Sequence, residues 1–530
     1  MGVTVGLCRS PAPYPIWSPD RDAHELEYMT LPSSTISWSN RILIAAVIGI
    51  LFLTLFPFRF VLATKLPLDA SPFLLGHSPK VVGPLDFFLN ILLFIPFGFG
   101  LAEKLRERAK SRKTIFFVTL LTGALFSYTI ELLQIYIPSR DSGWEDIFTN
   151  TIGTGIGFVL FERWGHRTVC FLSRCESGLT SWLTFRRAVA IIPIYFAAWF
   201  AVSIPLQKKS LPSNWDPRCF LVVGNNAQAQ YPWRGKVFRA QFWDRALPEG
   251  LAREITSGAE VAGAQNGMVG DLEFWGPNPL QDRRGLLPDL VWAPSVPDDK
   301  DSSPLVLDGG NWLISKAPVS DFIRDVQRTN QFAVRVVCML GEVGPGDKRI
   351  VSVSDSSGVT NLTLRQEDSN LVFWFRNPLS VRRSLLAWYV PKVLDAVARH
   401  DILFSYDGSN LSLFIDGEKE RRAYRLGPGT ALAQLFVRVI PAELDGYDYI
   451  YDALVFVPGG ILMGIAARGA RLRTLVGAVL WGIGVCLPPT ILESILAALS
   501  GRTLSRANVS LCILLSIAGA LWIDADGRTG

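Results

Sequence analysis

Eight stretches of the chain are apolar over lengths that suit a lipid bilayer: 41–63, 85–102, 114–137, 146–161, 188–206, 448–467, 474–499 and 507–523. A helix needs about 20 such residues to cross a hydrocarbon core. Backbone in lipid must also satisfy its own hydrogen bonds, which leaves helices or closed barrels. The sequence therefore predicts an α-helical multi-pass membrane protein with eight helices. The window at 146–161 is the weakest, because Asp146 and Asn150 interrupt it. Gly153, Gly155 and Gly157 would let it pack closely against a neighbour, and a re-entrant segment is the alternative. Residues 1–40 are polar and lack the charged-then-apolar order of a signal peptide, so the first helix is expected to anchor uncleaved.

Basic residues near helix ends are retained on the cytoplasmic side. Lys104, Arg106, Arg108, Lys110, Arg112 and Lys113 follow the second window, Arg163, Arg167, Arg174, Arg186 and Arg187 the fourth, and Arg468, Arg471 and Arg473 the sixth. The opposite short loops hold only Lys65, Lys80, Arg140, Arg502 and Arg506. This asymmetry puts both termini in the cytoplasm and exports the long segment 207–447. The parts are then a cytoplasmic tail (1–40), a membrane unit (41–163), a cytoplasmic loop (164–187), a leading helix (188–206), the exported segment (207–447), a second membrane unit (448–523) and a cytoplasmic tail (524–530).

Composition narrows the partners. Charged residues are 19% of the chain, below the roughly 25% of soluble domains. The net charge of +5 is too small for a nucleic-acid footprint. Seven cysteines without a CxxC pair and only four histidines give no metal cluster, so no metal or other cofactor is expected.

The segment 207–447 carries half of the sixteen tryptophans, and its short alternating runs are separated by Gly, Asp, Asn and Pro turns. Phe332, Val334, Val336 and Cys338 alternate; Ile350, Val351 and Val353 follow; Leu362 and Leu364 flank Thr363; Leu371 to Phe375 is an aromatic run. Asp407-Gly408 separates Ile402–Tyr406 from Leu411–Ile415, and Asp416-Gly417 closes the second run, both turn signals. The spacing fits a β-sandwich. The pair HDILFSYDGSNLSLFIDG at His400 to Gly417 resembles an element of the concanavalin A-like, laminin-G-type lectin fold. Tyr231 to Ile255 resembles that family's closing strand but precedes the other runs, which implies a permuted sandwich with no sugar or calcium ligands carried over. Trp233, Trp243, Trp374 and Trp388 are open to sugar stacking or core packing. Cys219 and Cys338, the exported cysteines, are candidates for a disulfide.

Sliding the chain along itself reveals a repeat at an offset of 362. Asp86 falls on Asp448, Asn90 on Asp452, Phe94 on Phe456, Pro96 on Pro458, Gly98 on Gly460 and Arg106 on Arg468. Without a gap, Glu131 falls on Glu493, Arg140 on Arg502, Asp146 on Asn508 and Gly157 on Gly519. Similar hydropathy alone would not align a Glu, two Arg and a Pro. Each unit of three crossings starts outside and ends inside, so the helices at 41–63 and 188–206 return the chain and make two parallel four-helix repeats. The β segment is then an insertion in one loop of the second repeat.

Asp86 and Asn90, Phe94 to Gly98, Ile130 to Gln134, Arg140, Asp146 and Asn150 to Gly153 together resemble the VanZ-like family, named for a teicoplanin-resistance protein. The resemblance implies a bacterial inner-membrane protein of the cell envelope that bears on glycopeptide susceptibility. The second unit departs from the pattern: Leu496 stands at the place of Gln134, Cys512 at that of Asn150 and Leu515 at that of Gly153. A scaffold role or an altered site is expected there.

Ionisable groups in apolar windows cost roughly 2.5–3.5 kcal/mol at mid-bilayer and usually face the bundle or water. Asp86, Asn90, Glu131, Gln134, Arg140, Asp146 and Asn150 all fall toward the exported side and form the candidate ligand site; Asp448, Asp452, Glu493, Arg502 and Asn508 are its second-unit equivalents. Pro138 should break the helix and let Arg140 fold back on Glu131, leaving a fork for an anionic headgroup. Two plainer readings compete: an ion-pair network that only locks helices, and carboxylates that sit at helix N-termini for the dipole. With no nucleophile-base pair or phosphate loop, binding of envelope lipid or glycan is favoured. The alternatives are an enzyme acting on a lipid-linked saccharide, with Glu131 as base and Arg140 holding the anion, or a transporter.

Overall fold

The computed structural model describes residues 38–55, 84–108, 111–137, 143–259, 261–294, 305–342, 344–380, 387–420, 424–436, 444–469 and 475–524. Eleven α-helices appear among them. The first four, α1 (Trp38–Leu55), α2 (Pro84–Arg106), α3 (Arg112–Gln134) and α4 (Trp144–Trp182), form one bundle. A second bundle consists of α5 (Phe185–Lys208), α9 (Leu444–Gly469), α10 (Leu475–Ser500) and α11 (Arg506–Asp524). Between α5 and α9 lie α6 (Glu249–Thr256), α7 (Ser320–Thr329) and α8 (Pro428–Phe436) together with all the strands.

Five helices are long and apolar enough to cross a membrane, over Phe87–Arg106, Arg112–Gln134, Arg186–Lys208, Gly446–Ala467 and Trp481–Ser500. Two more, Asn40–Leu55 and Arg506–Leu521, are apolar but shorter. Large side chains cover the outward faces: Leu92, Phe117, Leu121, Ile194 and Leu514 are each 59–67% exposed. An apolar patch of that extent is costly in water and suits lipid. The stretch 164–187, read from sequence as a loop, is helical as far as Trp182, so α4 runs on well past its apolar part. Its polar extension gave no apolar window to detect, and Glu176 within it pairs with Arg41 near the start of α1 at 3.1 Å.

The glycine positions explain how closely the helices approach. A Cβ on Gly98 would lie 2.1 Å from the Thr154 carbonyl oxygen, and one on Gly460 would lie 2.0 Å from that of Ser516. Likewise Gly157 abuts the carbonyl of Ile95 and Gly519 that of Val457, each at 2.2 Å. Only a missing side chain permits such backbone contact between apolar helices. All four positions of these contacts recur 362 residues later, with both glycines kept, Thr154 replaced by Ser516 and Ile95 by Val457.

The intervening module is a β-sandwich. Its strands in chain order are β1 (Phe220–Val223), β2 (Arg234–Trp243), β3 (Met268–Glu273), β4 (Leu290–Ala293), β5 (Leu305–Asp308), β6 (Trp312–Ser315), β7 (Phe332–Leu340), β8 (Asp347–Ser354), β9 (Thr360–Glu367), β10 (Asn370–Phe375), β11 (Trp388–Val390), β12 (Arg399–Tyr406), β13 (Asn410–Ile415), β14 (Glu418–Lys419) and β15 (Tyr424–Arg425). One sheet runs β11-β10-β9-β8-β1-β6-β4; the other runs β14-β13-β12-β7-β2-β3, with β5 on β2 and β15 on β13. Phe332, Val334, Val336 and Cys338 point into the shared core with Leu362, Leu364, Leu371 and Phe373, as alternation requires. The β12–β13 hairpin turns at Asp407-Gly408, where Gly408 has φ +91°, and Asp416 and Gly417 also take positive φ at the next turn.

Trp233, Trp243 and Trp388 are buried in the sandwich and serve as packing, whereas Trp374 is half-buried. Cys219 and Cys338, the candidates for a disulfide, do not form one: both are free, on strands or strand ends of opposite sheets. Burial pushes both thiols up to about 12.

The sandwich core continues without a break into the second bundle, taking in Phe196, Leu206, Tyr451, Val455, Phe456, Leu492 and Leu496. Polar contacts seal the junction. Gln207, buried at the end of α5, donates from Nε2 to the Gly408 carbonyl at 2.9 Å, with Ser409 Oγ at 3.2 Å and Ser500 Oγ at 3.3 Å. Asn330 donates to the Leu499 carbonyl at 3.0 Å.

Candidate functional site

In the first bundle the polar residues gather where α1 and α3 end and α4 begins. Ser127, Glu131 and Gln134 share one face of α3 by their spacing, and Asp146 and Asn150 share one face of α4. Glu131 is 2% exposed and accepts the Gly143 backbone N–H at 2.9 Å, which satisfies a donor at the start of α4. Asn90 of α2 donates from Nδ2 to Asp146 Oδ1 at 2.7 Å. Asn150 Nδ2 donates to Ser127 Oγ at 2.9 Å, and Gln134 Nε2 donates to the Thr54 carbonyl of α1 at 2.9 Å. The remaining oxygens, Asn150 Oδ1 and Gln134 Oε1, are buried with no hydrogen-bond partner. Five of the seven expected site residues are thus brought together; the side chain of Asp86 and all of Arg140 lie outside the described residues.

The second bundle repeats the scheme with different contents. Glu493, 2% exposed, accepts the Ser505 backbone N–H at 2.9 Å, the counterpart of the Glu131–Gly143 contact 362 residues earlier. Arg502 Nη1 reaches Glu493 Oε1 at 2.5 Å, with the two side chains 8% and 2% exposed. The fold-back is made by Gly501 at φ +68°, with Arg502 N–H bonded to the Ala497 carbonyl, a left-handed helix stop. Asn508 donates to Glu493 Oε2 at 3.1 Å. The amide and carboxylate of the first bundle have changed places: Asn90 and Asp146 become Asp452 and Asn508.

Sequence reasoning missed the residue at the centre of this second cluster. Arg425, at the end of β15, donates from Nη2 to Asn508 Oδ1 at 3.0 Å and lies 3.5 Å from Asp448 Oδ2, with its guanidinium 5.7 Å from the Tyr449 ring centre. Burial works to lower its pKa, but Asp448, Asp452 and Glu493 more than reverse this and raise it, so the charge is fixed. Asp448, 2% exposed, also accepts the Gly429 N–H at 2.7 Å and so caps α8. Arg425 has no counterpart under the 362 shift, where Ala63 stands, so the repeat offered no signal for it. The only local hint is the Gly427-Pro428-Gly429 helix start that follows.

Chemically, the first cluster is a buried to half-buried set of carboxylates and amides able to hold hydrogen-bond donors, and the second is a similar set already joined by the guanidinium groups of Arg425 and Arg502. Among the described residues no group of three His, Cys, Asp or Glu is arranged to hold a metal ion. Residues 27–165, the whole of the first bundle's polar end included, match a family model described as VanZ/LLP1. No curated protein and no solved structure matches the chain.

Proposed function

Starting from a VanZ-like domain at residues 27–165, we propose that the protein is a bacterial cell-envelope membrane protein whose first bundle binds the headgroup of an envelope lipid or lipid-linked saccharide. The observation that carries this reading is the convergence of Glu131, Asp146, Asn90, Asn150 and Gln134 at one end of an otherwise apolar bundle, with two buried amide oxygens left unpartnered. Ionisable groups inside a membrane bundle commonly mark a substrate or ion path, and buried acceptors without a donor leave hydrogen-bonding capacity for a ligand or water.

All eight long helices cross the bilayer in this reading, as two parallel four-helix units derived from one ancestor. The recurrence of the Gly98–Thr154 contact as Gly460–Ser516 supports that descent. The basic-residue asymmetry puts both termini in the cytoplasm and the sandwich outside, where a concanavalin A-like module would contact glycan beside the membrane site. Glycopeptide susceptibility is the phenotype such a protein would modify. A binding role is preferred to catalysis because Glu131 already accepts a backbone N–H and has a structural task.

Native mass spectrometry of the detergent-purified protein tests the reading: a co-purified lipid or saccharide at near-stoichiometric ratio supports it, and a protein that carries and takes up neither refutes it. Orientation is checked separately by labelling single cysteines from outside intact cells. Ser302→Cys should react and Lys110→Cys should not.

A further inference from the structure

We propose that the polar extension of α4, residues 162–182, is an amphipathic helix that lies along the bilayer surface and binds anionic phospholipid there. The surface is the one at which α2 and α9 end. The inference rests on the membrane crossings proposed above, and on the proposed orientation only for calling that surface cytoplasmic.

The contacts of the extension fix its course. Glu162 pairs with Arg106 at the end of α2 and lies 3.0 Å from Arg112 Nε at the start of α3. Glu176 pairs with Arg41, in the first turn of α1, at 3.1 Å. Leu183, which follows the last helical residue, is buried with Ala188 at the start of α5 and with Ile465 and Ala466 near the end of α9. In a chain that crosses the bilayer at each of these helices, all five of these ends face the same side. A helix of this length spans about 30 Å. One that touches the first bundle at two points and the second at its far end follows the membrane face and does not project from it.

The outer faces of the extension suit that place. At about 100° per residue, Trp164, Phe171 and Trp182 fall within about 20° of one line, and the three rings are 50–64% exposed. Exposed Cys175 lies beside them. Arg163, Arg167 and Arg174, exposed as well, fall within about 40° of a second line, roughly 80° from the first. Glu162 and Glu176 are the only acids of the stretch and are taken up by the pairs above, so these arginines have no carboxylate partner among the described residues.

A row of exposed rings is costly in water. Rings on one face with arginines beside them match a helix that sits at the boundary of lipid and water and is drawn to anionic headgroups. A second copy of the chain could also cover the rings, but it would bring two rows of arginines together. Charge complementarity therefore selects the anionic lipid surface as the occupant.

The test reconstitutes the full chain in vesicles of phosphatidylcholine, alone or mixed with phosphatidylglycerol. With Cys8, Cys170 and Cys486 replaced by Ser, a nitroxide label is attached at Cys175, while the buried Cys219, Cys338 and Cys512 stay unlabelled. A second preparation carries Ser173→Cys with Cys175→Ser, which moves the label to the opposite face of the helix. The label at Cys175 should collide mainly with oxygen, which concentrates in lipid, and the label on the opposite face mainly with a water-soluble nickel chelate. Phosphatidylglycerol should slow amide exchange over 162–182 about tenfold or more, since each basic residue close to an anionic surface counts for about fivefold. The triple variant Arg163→Gln, Arg167→Gln, Arg174→Gln should lose that slowing and keep its melting temperature in detergent.

A label at Cys175 that meets the chelate as readily as the one on the opposite face would overturn the inference, as would equal exchange in the two lipids. Dipolar broadening between labels on two chains would assign the face to a second copy and overturn it too. None of the labelled or substituted residues belongs to the polar end of the first bundle, so failure of the headgroup reading there would leave each of these outcomes unchanged. Reversed labelling at Ser302→Cys and Lys110→Cys would change only which leaflet the helix lies on.

Discussion

The two helical bundles pack their apolar parts alike and fill their polar ends differently. Gly98 against Thr154 and Gly157 against Ile95 find the same contacts at Gly460–Ser516 and Gly519–Val457, to within 0.1 Å of approach. At the polar ends, the second bundle closes on Arg425 and Arg502, while the first holds amides at the places of Leu496 and Cys512. Backbone contact tolerates no added atom, so the packing register has one solution. A charge cluster needs only the right total of donors and acceptors, and several arrangements supply it.

The sharpest way to break this comparison is to remove the buried glutamates. Glu493→Leu strands the Arg502 guanidinium, which is 8% exposed, and should cost about 3–5 kcal/mol. The double variant with Arg502→Leu should recover most of that, as read by thermal unfolding of the solubilised protein. A double variant as unstable as the single would show that the pair itself stabilises the bundle. Glu131→Leu should also destabilise, because the Gly143 N–H it accepts would be left buried.

Next in size are the glycine contacts. Gly98→Ala and Gly460→Ala each force a methyl against a carbonyl oxygen and should each cost about 1–3 kcal/mol by overpacking. Equal losses are the point of the test, since a silent substitution in one bundle would mean that the shared register does not carry shared energetics.

Much of this comparison is legible in the sequence, and the reason is physical. Period-2 alternation marks the strands around Phe332 and Leu362, because alternate apolar side chains enter the shared core, and an aromatic run marks the strand around Leu371. The offset of 362 aligns Glu131 with Glu493 and Arg140 with Arg502; the fold-back expected of Arg140 lies outside the described residues, while Arg502 of the second bundle reaches Glu493 through a turn at Gly501. Local signals failed where the partner is remote. Arg425 lies 83 residues from Asn508 and is held there by the docking of the whole module, which no spacing rule encodes. The helical extension of α4 is hidden because its polar residues carry no membrane-spanning signal, and the shared compartment that makes Cys219 and Cys338 candidates for a disulfide carries no sign that they lie on opposite sheets.

A smaller effect sharpens the module's part in the asymmetry. Gln207→Ala removes the donor that ties α5 to the Gly408 carbonyl, Ser409 and Ser500, and should cost about 1–2 kcal/mol. Limited proteolysis should then cut the module junction faster. Unchanged cleavage would show that the apolar continuity through Tyr451 and Phe456 holds the two parts by itself.

The exchange of Asn90 and Asp146 for Asp452 and Asn508 supplies the finest test. In the first bundle, Asn90 Nδ2 lies 2.7 Å from Asp146 Oδ1, so Asn90→Asp sets two carboxylates against each other and one must take up a proton. That should cost about 1 kcal/mol, and Asp146→Asn, which leaves two amides able to bond, should cost less. Combining them restores one amide and one carboxylate in the order the second bundle uses. A cycle of the two single variants and the double should therefore give a favourable coupling of about 1 kcal/mol, a magnitude usual for side chains in direct contact. Strict additivity would mean that the first bundle reads these positions one by one. The resemblance between the two polar ends would then reduce to their shared glutamates, Glu131 and Glu493, each closing on the backbone N–H twelve residues later.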